Sequence, residues 1–191
     1  FKLFKMSVDG GYITNNLAYM YYNGFGVEKN YVEALRLWKL NAEDVDAQSD
    51  IAHMYYNGFG VEKDYVEAFK WYQKSASRGD SLAMFNLANM YRNGFGVEKD
   101  DREALKLYMK SAEAGCKHSW EKLGYLYRYG VLVEKNINES IKWYKLGAEE
   151  GNAEFQSNLG DIYSNVMKNY DEAYWWLKMA VDGGNISAQS E

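Results

Sequence analysis

The stretch from Met20 to Ala34 reads MYYNGFGVEKNYVEA. It recurs nearly unchanged from Met54 to Ala68 and from Met90 to Ala104, first after 34 residues and then after 36. A more divergent fourth copy begins at Leu126, and a fifth begins at Ile162 with three loop residues missing. Because self-similarity at a period of this length is the signature of a repeat architecture, we predict five tandem units of 34 to 36 residues.

Each unit is predicted to form two helices joined by the repeated loop. In the third unit, Ala83, Leu87 and Tyr91 recur at the spacing of one helix face. Gly94 stands where that helix must end in a left-handed turn. The 191 residues include no proline, the residue that helix interiors exclude. These observations favour an all-α chain of helix-turn-helix repeats.

The start of each second helix has its own signal, an Asn or Asp three residues before a Glu. The pairs are Asn30 and Glu33, Asp64 and Glu67, Asp100 and Glu103, Asn136 and Glu139, and Asn169 and Glu172. In this capping-box spacing the first side chain accepts a hydrogen bond from an N–H of the first turn, and the Glu side chain returns to the N–H of the cap residue. We therefore expect a capped second helix in all five units.

Small residues recur at one position of each helix, and we expect the two helices of a unit to touch there. The first-helix set is Ala18, Ala52, Ala88, Gly124 and Gly160, and the second-helix set is Ala34, Ala68, Ala104, Ser140 and Ala173. Three rows of larger residues are predicted to surround this contact as core: Leu17, Ile51, Leu87, Leu123 and Leu159; Tyr21, Tyr55, Tyr91, Tyr127 and Tyr163; Trp38, Tyr72, Tyr108, Tyr144 and Leu177. Because one hairpin cannot bury its apolar face alone, stability must come from stacking unit on unit.

The Tyr-x-Asn-Gly-x-Gly-Val loop, followed by a capped helix with a small residue and a closing glycine, resembles the Sel-one-like repeat, a relative of the tetratricopeptide repeat. The likeness covers nearly the whole chain. It implies a right-handed α-solenoid superhelix of about five repeats, a single domain over residues 1–191 that we expect to be a piece of a longer array, and an adaptor rather than an enzyme. Two departures leave the local loop geometry open: Leu132 replaces the second loop glycine of unit four, and the loop of unit five is shortened before Asn169.

Composition excludes several classes of function. The chain has 22 Lys and Arg against 27 Asp and Glu, for a net charge of -5, and its cations are scattered, so we expect no nucleic-acid binding. No apolar run approaches the roughly 20 residues that a membrane span needs, so we expect no membrane insertion. His53 has no ligand four residues away on either side, and His118 with the single Cys116 two residues away is too small a set for a tight zinc site. We therefore expect no metal and no cofactor. The compartment stays open, cytoplasmic, periplasmic or secreted, because a targeting segment would lie outside this chain.

One motif keeps an enzymatic alternative open. The run from Ser119 to Lys122 matches the Ser-x-x-Lys pattern of penicillin-recognising enzymes, which would make the chain a β-lactam- or cell-wall-related hydrolase. No Ser-Asp-Asn or Lys-Thr-Gly partner motif accompanies it. Ser119 also occupies the position that Ala47 and Ala83 hold in other units, which indicates a buried small residue. We therefore expect a non-catalytic protein.

The candidate binding residues lie on the first helices, opposite the packing stripe, where they are expected to line a concave wall. They are Tyr19, Tyr22, His53, Tyr56, Phe85, Asn89, Arg92, Tyr125 and Arg128. These positions differ from unit to unit, and several carry the Tyr and Arg side chains that dominate binding hot spots. A competing interpretation is that the tyrosines cover neighbouring helices.

The leading hypothesis is a protein-protein interaction scaffold that captures a peptide or a partner protein in its concave groove. Arg92 and Arg128 hint at an acidic segment, because a guanidinium group pairs bidentately with a carboxylate. The alternative is a toxin-neutralising or inhibitor protein that binds a folded domain. The sequence leaves open whether the apolar residues Leu3, Phe4 and Ile186 near the chain ends promote association between chains.

Overall fold

The computed structural model describes residues 11–183, with Leu3, Phe4 and Ile186 outside the described residues. In that part of the chain there are ten α-helices and no strands: α1 Gly11–Asn23, α2 Tyr31–Leu40, α3 Val45–Asn57, α4 Tyr65–Ser77, α5 Ser81–Asn93, α6 Asp101–Glu113, α7 Lys117–Tyr129, α8 Ile137–Glu149, α9 Ala153–Asp161 and α10 Tyr170–Asp182. One π-helical turn, Ile162–Val166, follows α9. The all-α repeat fold predicted from the loop motif is confirmed.

The chain divides into two compact units. The N-terminal unit, Phe1–Ala114, holds helices α1 to α6, and the C-terminal unit, Gly115–Glu191, holds α7 to α10. In the N-terminal unit the helices pair within repeats, as α1 with α2, and between repeats, as α2 with α3 and α4 with α5. In the C-terminal unit α8 likewise contacts both α7 and α9. Packing of each hairpin on the next is thus present within each unit.

The predicted hydrogen bond from the first turn to the cap side chain is present in every second helix. The predicted return bond from the Glu side chain to the cap N–H is wrong. Asn30 accepts a hydrogen bond from the Glu33 N–H at 3.0 Å, and the cap residues of α4, α6, α8 and α10 do the same. The N–H of Asn30, however, donates to the carbonyl oxygen of Tyr21 at 2.9 Å, as do its equivalents in the other repeats. In the first four repeats the Glu side chain instead pairs with a cation three residues later, as Glu67 does with Lys70. Each cap residue therefore ties the two helices of its repeat together.

The small residues of the first and second helices lie at the predicted contact between the two helices of each repeat. All ten are buried, and the Ser140 hydroxyl donates to the Gly124 carbonyl oxygen at 2.8 Å. A Cβ built on Gly124 would lie 2.6 Å from the ring of Tyr144, so this ring occupies the space that the missing side chain leaves. Tight helix contact at this position requires a residue without bulk.

One predicted core row is shifted by a residue. The row Tyr21, Tyr55, Tyr91, Tyr127 and Tyr163 is only half-buried. The preceding residues Met54, Met90, Leu126 and Ile162 are fully buried and take the place in the core. In the third row Leu177 is half-buried, whereas the four aromatic residues are buried as predicted. The tyrosines lie at the edge of the stripe because each follows the buried residue by one position, about 100° further round the helix.

The repeated loop packs on the preceding repeat within the N-terminal unit. Phe59 stacks on Tyr31 with ring centroids 4.9 Å apart and 13° between the planes. Phe95 stacks on Tyr65 in the same way, at 4.8 Å and 9°. Gly60 follows Phe59, has a φ of +68° and lies so close to Tyr31 that a Cβ would be 2.5 Å from its carbonyl carbon. Glycine at this position thus serves both the left-handed turn and the close approach.

The loops of units four and five depart from the motif, but each still contains one residue in the left-handed backbone conformation. Leu132 has a φ of +65°, close to the +72° of Gly96, so unit four retains the loop turn despite the substitution. A side chain in this conformation costs about 1 to 2 kcal/mol. In unit five the turn falls on Lys168, with a φ of +56°, after the π-helical turn.

Replacing Gly60 by alanine should destabilise the chain more than replacing Gly26. The φ values are +68° and +69°, so alanine costs about 1 kcal/mol of left-handed strain at either position. At Gly60 the added Cβ also collides with the backbone of Tyr31, whereas at Gly26 the nearest atom is the Met20 methyl carbon at 3.7 Å. In urea denaturation we expect Gly60→Ala to lose about 1 to 3 kcal/mol more than Gly26→Ala. Equal losses would contradict the close packing of the loop.

Candidate functional site

The nine predicted binding residues all lie on first helices of repeats. Seven belong to the N-terminal unit, and Tyr125 and Arg128 belong to the C-terminal unit. Tyr19 and Tyr125 are exposed, Tyr19 to 54%. The other seven are only partly exposed, which already favours contacts with neighbouring helices.

Tyr22 is the centre of an aromatic cluster between the first two repeats. Its ring centroid lies 5.3 Å from that of Tyr31, 5.7 Å from Trp38, 6.1 Å from His53 and 6.2 Å from Phe59. Burial raises the pKa of Tyr22 and lowers the pKa of His53. Both side chains therefore help to pack one repeat on the next.

Tyr56 repeats this arrangement one unit further on. Its ring centroid lies 5.1 Å from that of Tyr65 and 6.2 Å from that of Phe95, the two rings that stack on each other. Burial raises its pKa as well. For Tyr22 and Tyr56, the interpretation that the tyrosines cover neighbouring helices is the one that matches the contacts.

The three residues predicted on α5 surround one buried ring. The hydroxyl of Tyr108, which is fully buried, donates to Oδ1 of Asn89 at 2.6 Å. Phe85 packs against the same ring at 5.8 Å. Burial raises the pKa of Tyr108, and the nearby Arg92 guanidinium lowers it by a smaller amount. Each of these side chains has a partner inside its own repeat.

Arg128 in the C-terminal unit forms an ion pair with Asp161 and is little exposed. It also lies 5.2 Å from the ring centroid of Tyr129, which packs against Tyr125 at 4.8 Å. The charge of Arg128 is thus neutralised within the unit, whereas Arg92 lies beside the neutral Tyr108. That these arginines select an acidic partner stays a prediction.

A groove of about 490 Å³ opens on the N-terminal unit. We call it the aspartate groove, and its lining consists of Asn15, Asn16, Tyr19, Trp38, Asp44, Asp46, Ser49, Asp50, Asp80 and Leu82. Of the nine predicted binding residues only Tyr19 contributes. Two of the lining side chains, Tyr19 on α1 and Leu82 on α5, are large, apolar and exposed.

The four carboxylates of the groove are held differently. Asp44 caps α3 and accepts hydrogen bonds from the Ala47 N–H and the Asn15 amide. Asp80 caps α5 and also accepts from the Ser75 hydroxyl at 2.8 Å. Both are therefore fixed by the start of a helix.

Asp46 and Asp50 have neither a hydrogen bond nor an ion pair among the described residues, but Asp46 is exposed. Asp50 is only partly exposed. Burial, together with the charges of Asp46, Asp80 and Asp44, raises its pKa to about 7. Sequence reasoning missed this group. The available signal was the spacing of Asp46 and Asp50, four residues apart on one face of α3, just after the cap at Asp44.

The Ser-x-x-Lys motif, which suggested a hydrolase, lies outside the aspartate groove. Ser119 on α7 is fully buried, as its equivalence with Ala47 and Ala83 predicted, so its hydroxyl is not placed to meet a substrate. Within residues 11–183 no group of three His, Cys, Asp or Glu side chains is arranged to hold a metal ion. No helix in this range combines the length and the apolar character needed to cross a bilayer.

Asp50→Asn should stabilise the chain at pH 8 and leave it nearly unchanged at pH 4. The pKa of Asp50 rises from 3.8 to about 7 on folding, so between these values the unfolded chain has lost the proton and the folded chain retains it. Wild-type stability therefore falls as the pH rises from about 4 to 7, and the neutral amide removes this loss.

Urea denaturation at both pH values measures the effect. The advantage of Asp50→Asn over wild type should grow by up to about 4 kcal/mol between pH 4 and pH 8. Asp171→Asn, an exposed carboxylate of the C-terminal unit, is the control and should show no such growth. An advantage of Asp50→Asn that stays constant with pH would contradict the buried charge.

The chain is similar in sequence and structure to known proteins. The Sel1 repeat family model matches residues 14–43, 45–80, 81–116, 121–152 and 153–185. A Sel1 repeat protein from Oxalobacter formigenes is 33% identical, with a TM-score of 0.83, and the match covers 95% of this chain and 76% of that one. A protective antigen of uropathogenic Escherichia coli strains with an SLR fold is 30% identical, with a TM-score of 0.79. That match covers 99% of this chain and 42% of the antigen.

An immunity protein from Pseudomonas aeruginosa is 23% identical, with a TM-score of 0.60, over 90% of this chain and 68% of that one, a likeness that shows the fold alone. No curated protein matches this sequence. Because five family segments cover most of its length, the chain belongs to the Sel1 repeat family.

Proposed function

We propose that this chain is a non-catalytic scaffold whose aspartate groove binds a segment of another protein through a lysine or arginine side chain. Sel1 repeat proteins are generally protein-interaction scaffolds. The observation that carries the finer proposal is the carboxylate of Asp50, partly buried and without a partner among the described residues, beside exposed apolar side chains in one groove.

The apolar lining suits the stem of a long cationic side chain. Tyr19 and Leu82 expose carbon surface that the methylene groups of lysine or arginine can cover, while the charged head reaches the carboxylates. A tyrosine face also attracts a cation directly. A short polar residue would satisfy neither part of this lining.

The electrostatics favour the same occupant. In the free chain the ionised form of Asp50 is opposed by burial and by three neighbouring carboxylates. A cation within about 4 to 6 Å favours the charged form and lowers the pKa again. Binding near pH 6 is therefore expected to release a proton. The groove thus favours a basic segment, in contrast to the acidic one suggested by Arg92 and Arg128.

The alternatives from the sequence have less support. The burial of Ser119 disfavours a hydrolase. For a toxin-neutralising protein, the likeness to an immunity protein at 23% identity bears on the fold and carries no partner with it.

Fluorescence anisotropy with two labelled eight-residue peptides tests the proposal. One alternates arginine with leucine, and the other has glutamate in place of arginine. We expect the arginine peptide to bind at least about tenfold more tightly than the glutamate peptide. Asp50→Asn should weaken binding of the arginine peptide by at least about tenfold, since hydrogen bonds to charged groups are worth roughly 1.5 to 3 kcal/mol.

The control makes the same charge change elsewhere. Asp171→Asn in the C-terminal unit should bind the arginine peptide as wild type does. An equal loss of affinity in both variants would mean that the net charge alone attracts the peptide, which would contradict a site at Asp50. Tighter binding of the glutamate peptide would also contradict the proposal.

A further inference from the structure

The residue before Tyr108 stands at a position that holds tryptophan in most of the later repeats. Of the four repeats that follow another described repeat, the second, fourth and fifth have Trp71, Trp143 and Trp176 there, whereas the third has Leu107. Trp143 and Trp176 are buried, and Trp71 is partly buried. Leucine is much smaller than an indole ring, so the third repeat cannot fill the same space with its own side chain.

The second repeat shows how the tryptophan is held. Trp71, like Ala42 and Tyr55, packs against the buried core of the first two repeats. Its Nε1–H donates to the Glu67 carboxylate at 3.0 Å. The Nζ of Lys74 lies over the ring, 5.5 Å from its centroid. An apolar floor, a carboxylate acceptor and a cation over the ring thus hold the indole.

The third repeat keeps these surroundings around a cavity of about 220 Å³ between α4, α5 and α6. We call it the Leu107 pocket, and its lining includes Ala76, Met84, Tyr91, Glu103, Leu107 and Lys110. Four of these residues, Ala76, Tyr91, Glu103 and Lys110, stand where Ala42, Tyr55, Glu67 and Lys74 stand one repeat earlier. The pocket therefore has the floor, the acceptor and the cation of the Trp71 site, and leucine in place of the ring.

The two charged groups at the rim are able to receive an indole. Lys106 donates to both carboxylate oxygens of Glu103, at 3.1 and 3.0 Å. In the second repeat the equivalent lysine donates to one oxygen of Glu67, and the other oxygen accepts from the indole. Lys106 can likewise keep one oxygen of Glu103 while the second accepts an indole N–H. Lys110 is exposed, so its ammonium group can lie over a ring in the pocket.

We infer that the Leu107 pocket binds a tryptophan side chain of a partner protein. The ring occupies the place that Trp71 has in the preceding repeat, donates its N–H to Glu103 and lies under the ammonium group of Lys110. Drug-sized ligands occupy cavities of about 300 to 1,000 Å³, so this smaller cavity suits one side chain. Tryptophan is also enriched among the residues that anchor an interface by filling a pocket.

This site is separate from the function proposed above. The Leu107 pocket and the aspartate groove share no lining residue. The pocket recognises a neutral ring with one N–H, whereas the groove is proposed to bind a cation. Either proposal can therefore fail without the other.

Methyl NMR with N-acetyl-tryptophanamide as the probe tests the inference. Met84 lines the pocket, so in a chain with isotope-labelled methionine methyl groups its signal should shift as the ring enters. The signal of Met54, which is fully buried in the second repeat, should not shift. N-acetyl-phenylalaninamide should bind at least about tenfold more weakly, because its smaller ring has no N–H to donate to Glu103.

Two variants and a control locate the binding. Leu107→Trp should abolish the shift of the Met84 signal and raise the urea midpoint, because the chain's own indole then fills the pocket. Leu146→Trp, at an exposed leucine of the C-terminal unit, is the control and should bind the probe as wild type does. Lys110→Ala should weaken binding about threefold through the loss of the cation over the ring.

Three results would each overturn the inference: a Met84 signal that does not move, equal affinities for the two amides, or unchanged binding by Leu107→Trp. Circular dichroism verifies that the variants fold. Lys110 is exposed, so Lys110→Ala should fold even if Leu107→Trp does not. Wild-type affinity of Lys110→Ala for the tryptophan probe would then overturn the inference by itself.

Discussion

The stacking of Phe59 on Tyr31, with Gly60 against the backbone of the same helix, fixes how the second repeat packs on the first. A helical hairpin cannot bury its apolar face alone, and this contact and its copy at Phe95 add to the packing of helices between repeats that joins the hairpins into one folded unit. They also occupy Tyr22 and Tyr56, the ring neighbours of each stack. The surface available to a partner therefore lies farther from the loops, where Tyr19 lines the aspartate groove.

Two of the four carboxylates in that groove stand at the starts of helices. Asp44 and Asp80 are needed as caps of α3 and α5, and their positions near Asp50 raise its pKa together with burial. In the C-terminal unit the equivalent caps are neutral: Cys116 makes no side-chain cap bond, and Asn152 carries no charge. Because Asn152 caps its helix without a charge, the charges of Asp44 and Asp80 go beyond what capping requires.

The sequence predicted the features of the fold that are local and that recur in every repeat. The loop motif, the Asx caps and the small-residue contact each depend on a few neighbouring residues, and each appears in the structure. What failed depends on contacts between helices. The Glu of the capping box is displaced because the Tyr21 carbonyl, on the preceding helix, accepts the hydrogen bond of the cap N–H. Arg128 is neutralised by Asp161, a full repeat away, and Asp50 becomes unusual only through its neighbours in space.

A double-mutant cycle of Tyr31→Ala and Phe59→Ala measures the contact between repeats most directly. If the two rings stabilise each other, the double variant should lose less than the sum of the single losses, with a coupling of about 1 kcal/mol in the free energy of unfolding. Losses that add to within about 0.3 kcal/mol would mean that the rings lie together without holding the repeats, and would contradict the account.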